Sequence, residues 1–224
     1  MKISILTLFP SIFDGYFGES IMKRAIGAKL IEIEIVDIRD FATDKHRTCD
    51  DYAYGGGPGM VLKVEPLSMA LQSVMGGSST VVLPTPSGSK FEQSQARELS
   101  HHEHLVFVAG RYEGIDQRFI DRHVDLELCV GDYVLSSGEL AAMVMIDATA
   151  RLLKGFLSEE SLSVESFEDG LLEYPHYTRP EEYDGDVVPA VLRSGHKQQI
   201  QDWREMKRVE KTAAVRPDLL ARRI

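Results

Sequence analysis

Gly131-Asp132-Tyr133-Val134-Leu135-Ser136-Ser137-Gly138-Glu139 separates an apolar, strand-like run at 124–130 from a long apolar, helix-like run at 140–153. A loop of this kind, at the carboxyl end of a buried strand, is where α/β sheets place ligands. Small residues at 136, 137 and 138 let a ligand approach the backbone closely. Two more stretches have the same form. Gly110-Arg111-Tyr112-Glu113-Gly114-Ile115-Asp116 follows Leu105-Val106-Phe107-Val108-Ala109, and Pro84-Thr85-Pro86-Ser87-Gly88 follows Val81-Val82-Leu83. Three strand ends with turn-rich exits predict one shared pocket.

The rest of the chain fits around these exits. Met1-Lys2-Ile3-Ser4-Ile5-Leu6 reads as a first strand, and the alternation Ile31-Glu32-Ile33-Glu34-Ile35 as a half-buried one. Between them 11–30 reads as a helix capped by Ser11 after Pro10. The polar stretch 39–54, ending in Gly55-Gly56-Gly57-Pro58-Gly59, reads as a loop. A helix is expected over 65–75, with Pro66 in its first turn. Strands near 80–84, 105–109 and 126–130 then alternate with helices near 91–100, 115–122 and 138–153. That alternation implies a mostly parallel sheet covered on both faces. After Pro189 the pattern turns helical, with Ile200, Trp203, Met206 and Val209 spaced by threes. The division expected is an α/β domain at 1–157, an acidic flexible linker at 158–186 and a small helical domain at 187–224. A domain of about 35–40 residues is marginal alone, so it should lean on the first or on another chain.

No apolar run approaches the roughly 18 residues of a membrane span, and Pro10 cuts short anything resembling a signal peptide. Cys49 and Cys129 stand alone, which suggests neither a disulfide framework nor a metal site and fits a reduced cytoplasm. The net charge of −10 argues against a nucleic-acid partner until its distribution is read. Residues 158–186 hold ten acids and one Lys or Arg, whereas 193–224 hold nine Lys and Arg against four acids. The first strand is followed by Phe9-Pro10-Ser11-Ile12 rather than G-x-G-x-x-G, which disfavours a nicotinamide enzyme. No Walker A lysine or H-E-x-x-H is present. His101-His102-Glu103-His104 lies between a helix and a strand and reads as a solvated connector.

Seven separated motifs occur in one order: Leu8-Phe9-Pro10, Arg39-Asp40-Phe41, His46-Arg47-Thr48, Tyr54-Gly55-Gly56-Gly57-Pro58-Gly59-Met60, the 110–116 exit, the 131–136 exit and Pro175-His176-Tyr177-Thr178-Arg179-Pro180. Together they resemble the bacterial tRNA (guanine-N1)-methyltransferases of the SPOUT superfamily, over about residues 1–220. The resemblance implies a deep trefoil knot, a rare exception to the usual connection rules. It implies S-adenosylmethionine bound by Leu83, Pro84, Thr85 and Pro86, by Gly110, Tyr112 and Glu113, and by Val130, Gly131, Asp132, Tyr133, Val134, Leu135, Ser137 and Gly138. It further implies a homodimer whose active sites draw on both chains, and it allows a Mg²⁺ requirement, for which no dedicated ligand cluster is visible.

The chemistry sets its own demands. A sulfonium methyl needs no metal, but guanine N1 carries a proton near neutral pH and is a poor nucleophile until that proton leaves. A carboxylate within reach serves as general base. A cation or N–H groups near guanine O6 stabilise the charge that builds there. The resemblance puts the base at Glu165, where the family has aspartate, and the cation at Arg151. The extra methylene extends the reach by about 1.5 Å, and a misplacement of about 1 Å can cost about a hundredfold. Asp169 is the other nearby carboxylate. Milder departures are Ser137 in place of the usual glycine, Ala141 in place of a common proline and Leu83 in place of a common aromatic.

The substrate that the resemblance implies is the guanosine immediately 3′ of the anticodon in tRNA. Gly55, Gly56, Gly57 and Gly59 leave room for a flipped purine, and Ser166, His176 and Arg179 complete the substrate side. Arg193, Lys197, Arg204, Lys207, Arg208 and Lys211 could grip phosphates. The alternatives are a related enzyme acting on another RNA, such as ribosomal RNA, and a noncatalytic RNA- or cofactor-binding protein.

Overall fold

The computed structural model describes residues 1–158 and 165–221. Residues 159–164 of the expected linker, and 222–224 with Arg222 and Arg223, lie outside the described residues. The chain forms two compact units, Met1–Leu157 and Ser158–Ile224.

The first unit is built on five strands: β1 (Lys2–Thr7), β2 (Glu32–Asp37), β5 (Ser79–Lys90), β6 (His104–Val108) and β7 (Leu126–Cys129). They form one sheet in the order β2-β1-β6-β5-β7, with every neighbouring pair parallel. Two short strands, β3 (Asp50–Tyr52) and β4 (Met60–Leu62), pair antiparallel beside it. The helices are α1 (Asp14–Phe17), α2 (Ser20–Gly27), α3 (Val64–Val74), α4 (Gln93–Leu99), α5 (Gln117–His123) and α6 (Gly138–Ala150).

Alternation along the strands fills two cores, as a sheet covered on both faces requires. Ile3, Ile5, Val82, Leu105 and Phe107 face one way, onto Ala142, Met145 and Ile146 of α6 and onto Phe13 and Met22. Leu6, Val81, Leu83, Val106 and Val108 face the other way, onto Leu67 and Leu71 of α3 and Phe119 of α5.

Two local readings differ from expectation. The helix expected over 11–30 is broken into a 3-10 turn (Pro10–Phe13), α1 and α2, the last opening on Ser20 at φ 51°. Ser11 therefore lies inside the turn and caps nothing. The polar loop expected over 39–59 contains β3 and runs directly into β4, and these three-residue strands are too short to leave a periodic signal.

The second unit holds a two-residue hairpin, β8 (Glu182–Tyr183) with β9 (Asp186–Val187), then α7 (Ala190–Arg193), α8 (Lys197–Val215) and α9 (Pro217–Ala221). The described part of the acidic stretch belongs to this unit and packs on its helices. Leu171 is fully buried, and Leu172 N–H donates to Thr212 of α8 at 2.9 Å. Met206 and Val209 are exposed, whereas Arg204, Lys207, Arg208 and Thr212 are more covered. A spacing of three drifts around a helix of 3.6 residues per turn, so the covered face follows alternating steps of three and four.

At the amino ends of the strands, opposite the exits, His104 sits in a directional relay. Gly76 N–H donates to Ser79 Oγ (2.8 Å), Ser79 Oγ lies 2.7 Å from His104 Nδ1, and His104 Nε2 lies 2.9 Å from Ser4 Oγ. The Ser4 hydroxyl donates to Glu34 (2.9 Å), which also pairs with Lys2 (2.8 Å). Since the Ser4 proton goes to Glu34, His104 donates from Nε2 and accepts at Nδ1. Burial, reinforced by the Lys2 charge, holds His104 below its ordinary value of 6.5, against Glu34 and Glu32. The unfolded chain therefore binds more protons just below that value. This contribution to stability is complete above it and is lost as pH falls toward the folded value. The denaturant midpoint of the native protein should fall on acidification below about pH 6.5 more steeply than that of His104→Gln. Parallel curves would remove His104 as the cause.

Candidate active site

β5, β6 and β7 all release their chains at the same edge of the sheet. β5 runs beside β7 as far as Pro84↔Leu128, swings out, and returns at Ser89↔Leu128. The bulge is pinned where Gly88 lies against β7, since an added Cβ would sit 2.5 Å from the Glu127 carbonyl carbon. The β6 exit is braced from outside by β4. Glu113 N–H donates to Met60 O, Leu62 N–H to Gly114 O and Asp116 N–H to Leu62 O, each at 3.0 Å. The β7 exit leads into α6, whose first residue crosses the β6 exit. Gly138 N–H donates to Gly110 O at 2.8 Å, and a Cβ at 138 would lie 2.7 Å from Gly110 N.

The three exits wall one pocket of about 420 Å³. Leu83, Pro84, Thr85, Pro86, Gly110, Tyr112, Glu113, Val130, Tyr133, Val134, Leu135, Ser137 and Gly138 line it, with Ala141 at the first turn of α6. Gly131 and Asp132 are not among the lining residues. The Gly131 carbonyl instead accepts from Tyr133 N–H (2.8 Å) and from the Cys129 thiol (3.0 Å), which closes the turn. Tyr112 takes a left-handed φ of 59°, and burial together with Asp50 pushes its phenol up.

Sequence reasoning missed the residues that tie these walls together. Glu139 is wholly buried. It accepts from the Thr7 hydroxyl at 2.8 Å and lies 3.2 Å from Arg111 Nε. Thr7 in turn accepts from Phe9 N–H at 3.0 Å, and the Arg111 guanidinium lies over the Phe9 ring at 4.3 Å. A glutamate in the first turn of a helix reads from sequence as a solvated partner of the helix dipole, so nothing marked this one as internal.

Arg151 follows the last residue of α6, its N–H donating to Asp147 O. The Asp147 carboxylate is bonded by Tyr16, which anchors that end of the helix. Gly55, Gly56 and Gly57 all have positive φ, between 77° and 117°, at the tip of the β3–β4 hairpin. Such a run of left-handed backbone suits only glycine. Glu165, Ser166, His176 and Arg179 belong to the second unit. There Ser166 Oγ accepts from Glu173 N–H (2.9 Å), and His176 Nε2 pairs with the Glu173 carboxylate (2.7 Å). Arg179 is exposed and precedes a cis peptide bond to Pro180. The basic residues of the helical segment are largely engaged: Arg193 with Glu181, Lys207 with Glu210, Arg208 with Asp169 and Glu205, and Arg204 over the Tyr174 ring.

A family model described as tRNA (Guanine-1)-methyltransferase TrmD matches residues 1–222. A Treponema denticola protein named tRNA (guanine-N(1)-)-methyltransferase is 57% identical over 220 residues, 98% of this chain and 90% of that one. Proteins of the same name from Borrelia turicatae and Treponema pallidum are 55% and 54% identical over 221 residues each. Those alignments span 98% and 99% of this chain and 92% and 88% of the relatives.

Two substitutions test the way the walls are joined. Gly138→Ala forces backbone apart at the crossing and should cost about 1–3 kcal/mol, read as a lowered unfolding temperature. Arg111→Ala leaves a buried carboxylate uncompensated and should cost about 3 kcal/mol or more. Adding Glu139→Gln should recover part of that loss, and a double variant no more stable than Arg111→Ala would reject the pairing.

Proposed function

Because the chain belongs to the tRNA (guanine-1)-methyltransferase family, we propose that it methylates N1 of the guanosine immediately 3′ of the anticodon in tRNA, with S-adenosylmethionine as donor. The observation that carries the reading is the convergence of three strand exits on one pocket, its walls joined at the Gly138–Gly110 crossing. A volume of about 420 Å³ lies within the range of small-molecule sites. Backbone at 84–86, 110–115 and 133–138 offers polar groups unobstructed by large side chains at Gly110, Ser137 and Gly138. These residues fit a nucleoside-based donor, which supplies an electrophilic methyl group when bound. The chain path through the same three exits is consistent with the knot that the family implies.

The protein's own residues have the remaining work. Glu165 takes the proton from guanine N1, freeing the nitrogen lone pair for the methyl. Arg151 stabilises the negative charge that gathers on O6. The Gly55–Gly59 run receives the target purine, and Ser166, His176 and Arg179 contact the neighbouring nucleotides. Exposed Lys197 and Lys211 on α8 meet phosphates.

The enzyme works as a homodimer in the cytoplasm. α6 is apolar almost all round, yet Leu140 and Val144 are 52% and 54% exposed, one turn apart and on the helix that contacts the Pro10–Phe13 turn. A helix of that composition is normally covered, and a second copy of the chain would cover it. Among the described residues no helix is long and apolar enough to cross a membrane. No group of three or more His, Cys, Asp or Glu side chains among them is placed to hold a metal ion such as Mg²⁺.

The test is methyl transfer from labelled S-adenosylmethionine to a tRNA transcript with guanosine 3′ of the anticodon, preceded by guanosine. A second transcript carries adenosine at the target position. Label should enter the first alone, and Glu165→Gln should lower the rate by about a hundredfold or more. Label in both transcripts would reject the target, and native rates in the variant would reject the base.

A further inference from the structure

The turn that carries Glu165 is fastened to the helices behind it by contacts of several kinds. Glu168 N–H meets the Glu165 carbonyl at 3.4 Å, and Phe167 N–H donates to the Leu171 carbonyl at 2.8 Å. Phe167 has a φ of 76°, a conformation that costs a bulky residue about 1–2 kcal/mol. The surroundings must hold it there. Arg216 lies over the Phe167 ring at 6.0 Å, and Leu171 is fully buried. Thr212 Oγ1 accepts from Leu172 N–H at 2.9 Å while its own hydroxyl donates to the Arg208 carbonyl at 2.7 Å.

Asp169 lies at the centre of this fastening. One of its oxygens accepts from the Arg208 guanidinium and from Leu171 N–H at 3.3 Å. The Arg208 side chain is only 13% exposed and is held from its other nitrogen by Glu205 at 3.1 Å. An exposed ion pair contributes little to stability, but this one is largely shielded from water on the arginine side. It also joins two segments 39 residues apart. A shielded arginine held by two carboxylates is poorly placed to grip RNA phosphates. A catalytic group must be held within about 0.5 Å of its working position by the residues behind it, and the stretch around Glu165 is too polar to be fixed by apolar packing alone.

We infer that Asp169 and Arg208 are positioning residues for the reaction: their ion pair docks the 165–173 turn onto α8 and fixes where the Glu165 carboxylate stands. The inference rests on Glu165 being the base. It gives the second carboxylate of the acidic stretch a task other than proton transfer, and it takes Arg208 out of the phosphate-binding set. Loosening the pair frees the turn, so the reaction step slows while binding of the donor is untouched.

The experiment combines kinetics with amide hydrogen exchange on the full-length protein and a tRNA transcript, comparing native protein with Asp169→Asn, Arg208→Ala, Arg208→Lys and Glu165→Gln. Asp169→Asn and Arg208→Ala should each lower kcat about ten- to a hundredfold and leave the KM for S-adenosylmethionine unchanged. Both should speed exchange at the amides of Phe167, Leu172 and Glu173. Arg208→Lys should stay near native in both readouts. Unchanged exchange in the first two variants would overturn the docking, and faster exchange with native kcat would overturn the positioning. Opposite effects on the KM for tRNA, weaker with Arg208→Ala and tighter with Asp169→Asn, would overturn both and return Arg208 to phosphate binding. Full activity of Glu165→Gln would instead overturn the base itself, and with it the role of the pair, whatever the exchange shows.

Discussion

Glu139 is a carboxylate with no solvent exposure at the start of α6, and removing such a group from water costs several kcal/mol unless it is paired and hydrogen-bonded. Its partners come from two other parts of the chain, Thr7 at the end of β1 and Arg111 beyond β6. Neither partner can move away without leaving the buried carboxylate to that cost, so the β1 end, the β6 exit and the α6 start form one rigid corner. The backbone crossing of Gly138 over Gly110 belongs to the same corner. The pocket walls take their positions from it, because the second wall leaves from Arg111 and the third ends at Glu139.

The two units are held by different forces. In Met1–Leu157 both faces of a parallel sheet are buried by apolar residues. In Ser158–Ile224 charged groups hold much of the turn, hairpin and helices together, with Asp169 on Arg208, Glu181 on Arg193 and Glu210 on Lys207. The charge asymmetry of the sequence, acids first and bases after, acquires a structural meaning there. The two blocks lie in one compact unit and neutralise each other in part. The cationic surface left for RNA is smaller than the composition of 193–224 suggests.

What the sequence reveals depends on how each feature is encoded. β1, β5 and β6 carry apolar runs buried on both faces, and β2, at the sheet edge, carries the alternation of a half-buried strand, so the pattern is in plain view. The three exits were legible for the same reason. The β3–β4 hairpin was not, because Asp50–Tyr52 carries no apolar alternation and the pairing is set by what β4 meets at 113–116. The covered face of α8 was not legible, because Met206 and Val209 are exposed while the helix packs through Arg204, Lys207 and Arg208 and through Thr212. Long charged side chains cover apolar surface in this way without any hydrophobic signal. The docking of 165–173 escaped notice on similar grounds, since its contacts are polar and ionic and a run of acids reads as solvated. Glu139 stood inside the most informative stretch of the chain, but its burial is created by Thr7 and Arg111, 132 and 28 residues away.

The order of the chain dictates when the site can come into being. All five strands of the main sheet are complete by Cys129, so a nascent chain emerging from its N-terminus could already possess every strand and still have no pocket. The third wall, the glycine that crosses the second, and the carboxylate that ties them arrive only with residues 130–139. Glu139 must then close on Thr7 across 132 residues of chain. Closing such a loop has an entropic cost that grows with length, and the sheet has to stand before that cost can be met. The pocket therefore cannot close before residues 130–139 are in place. A protein cut short before residue 138 would lack both the third wall and the helix that covers one face of the sheet.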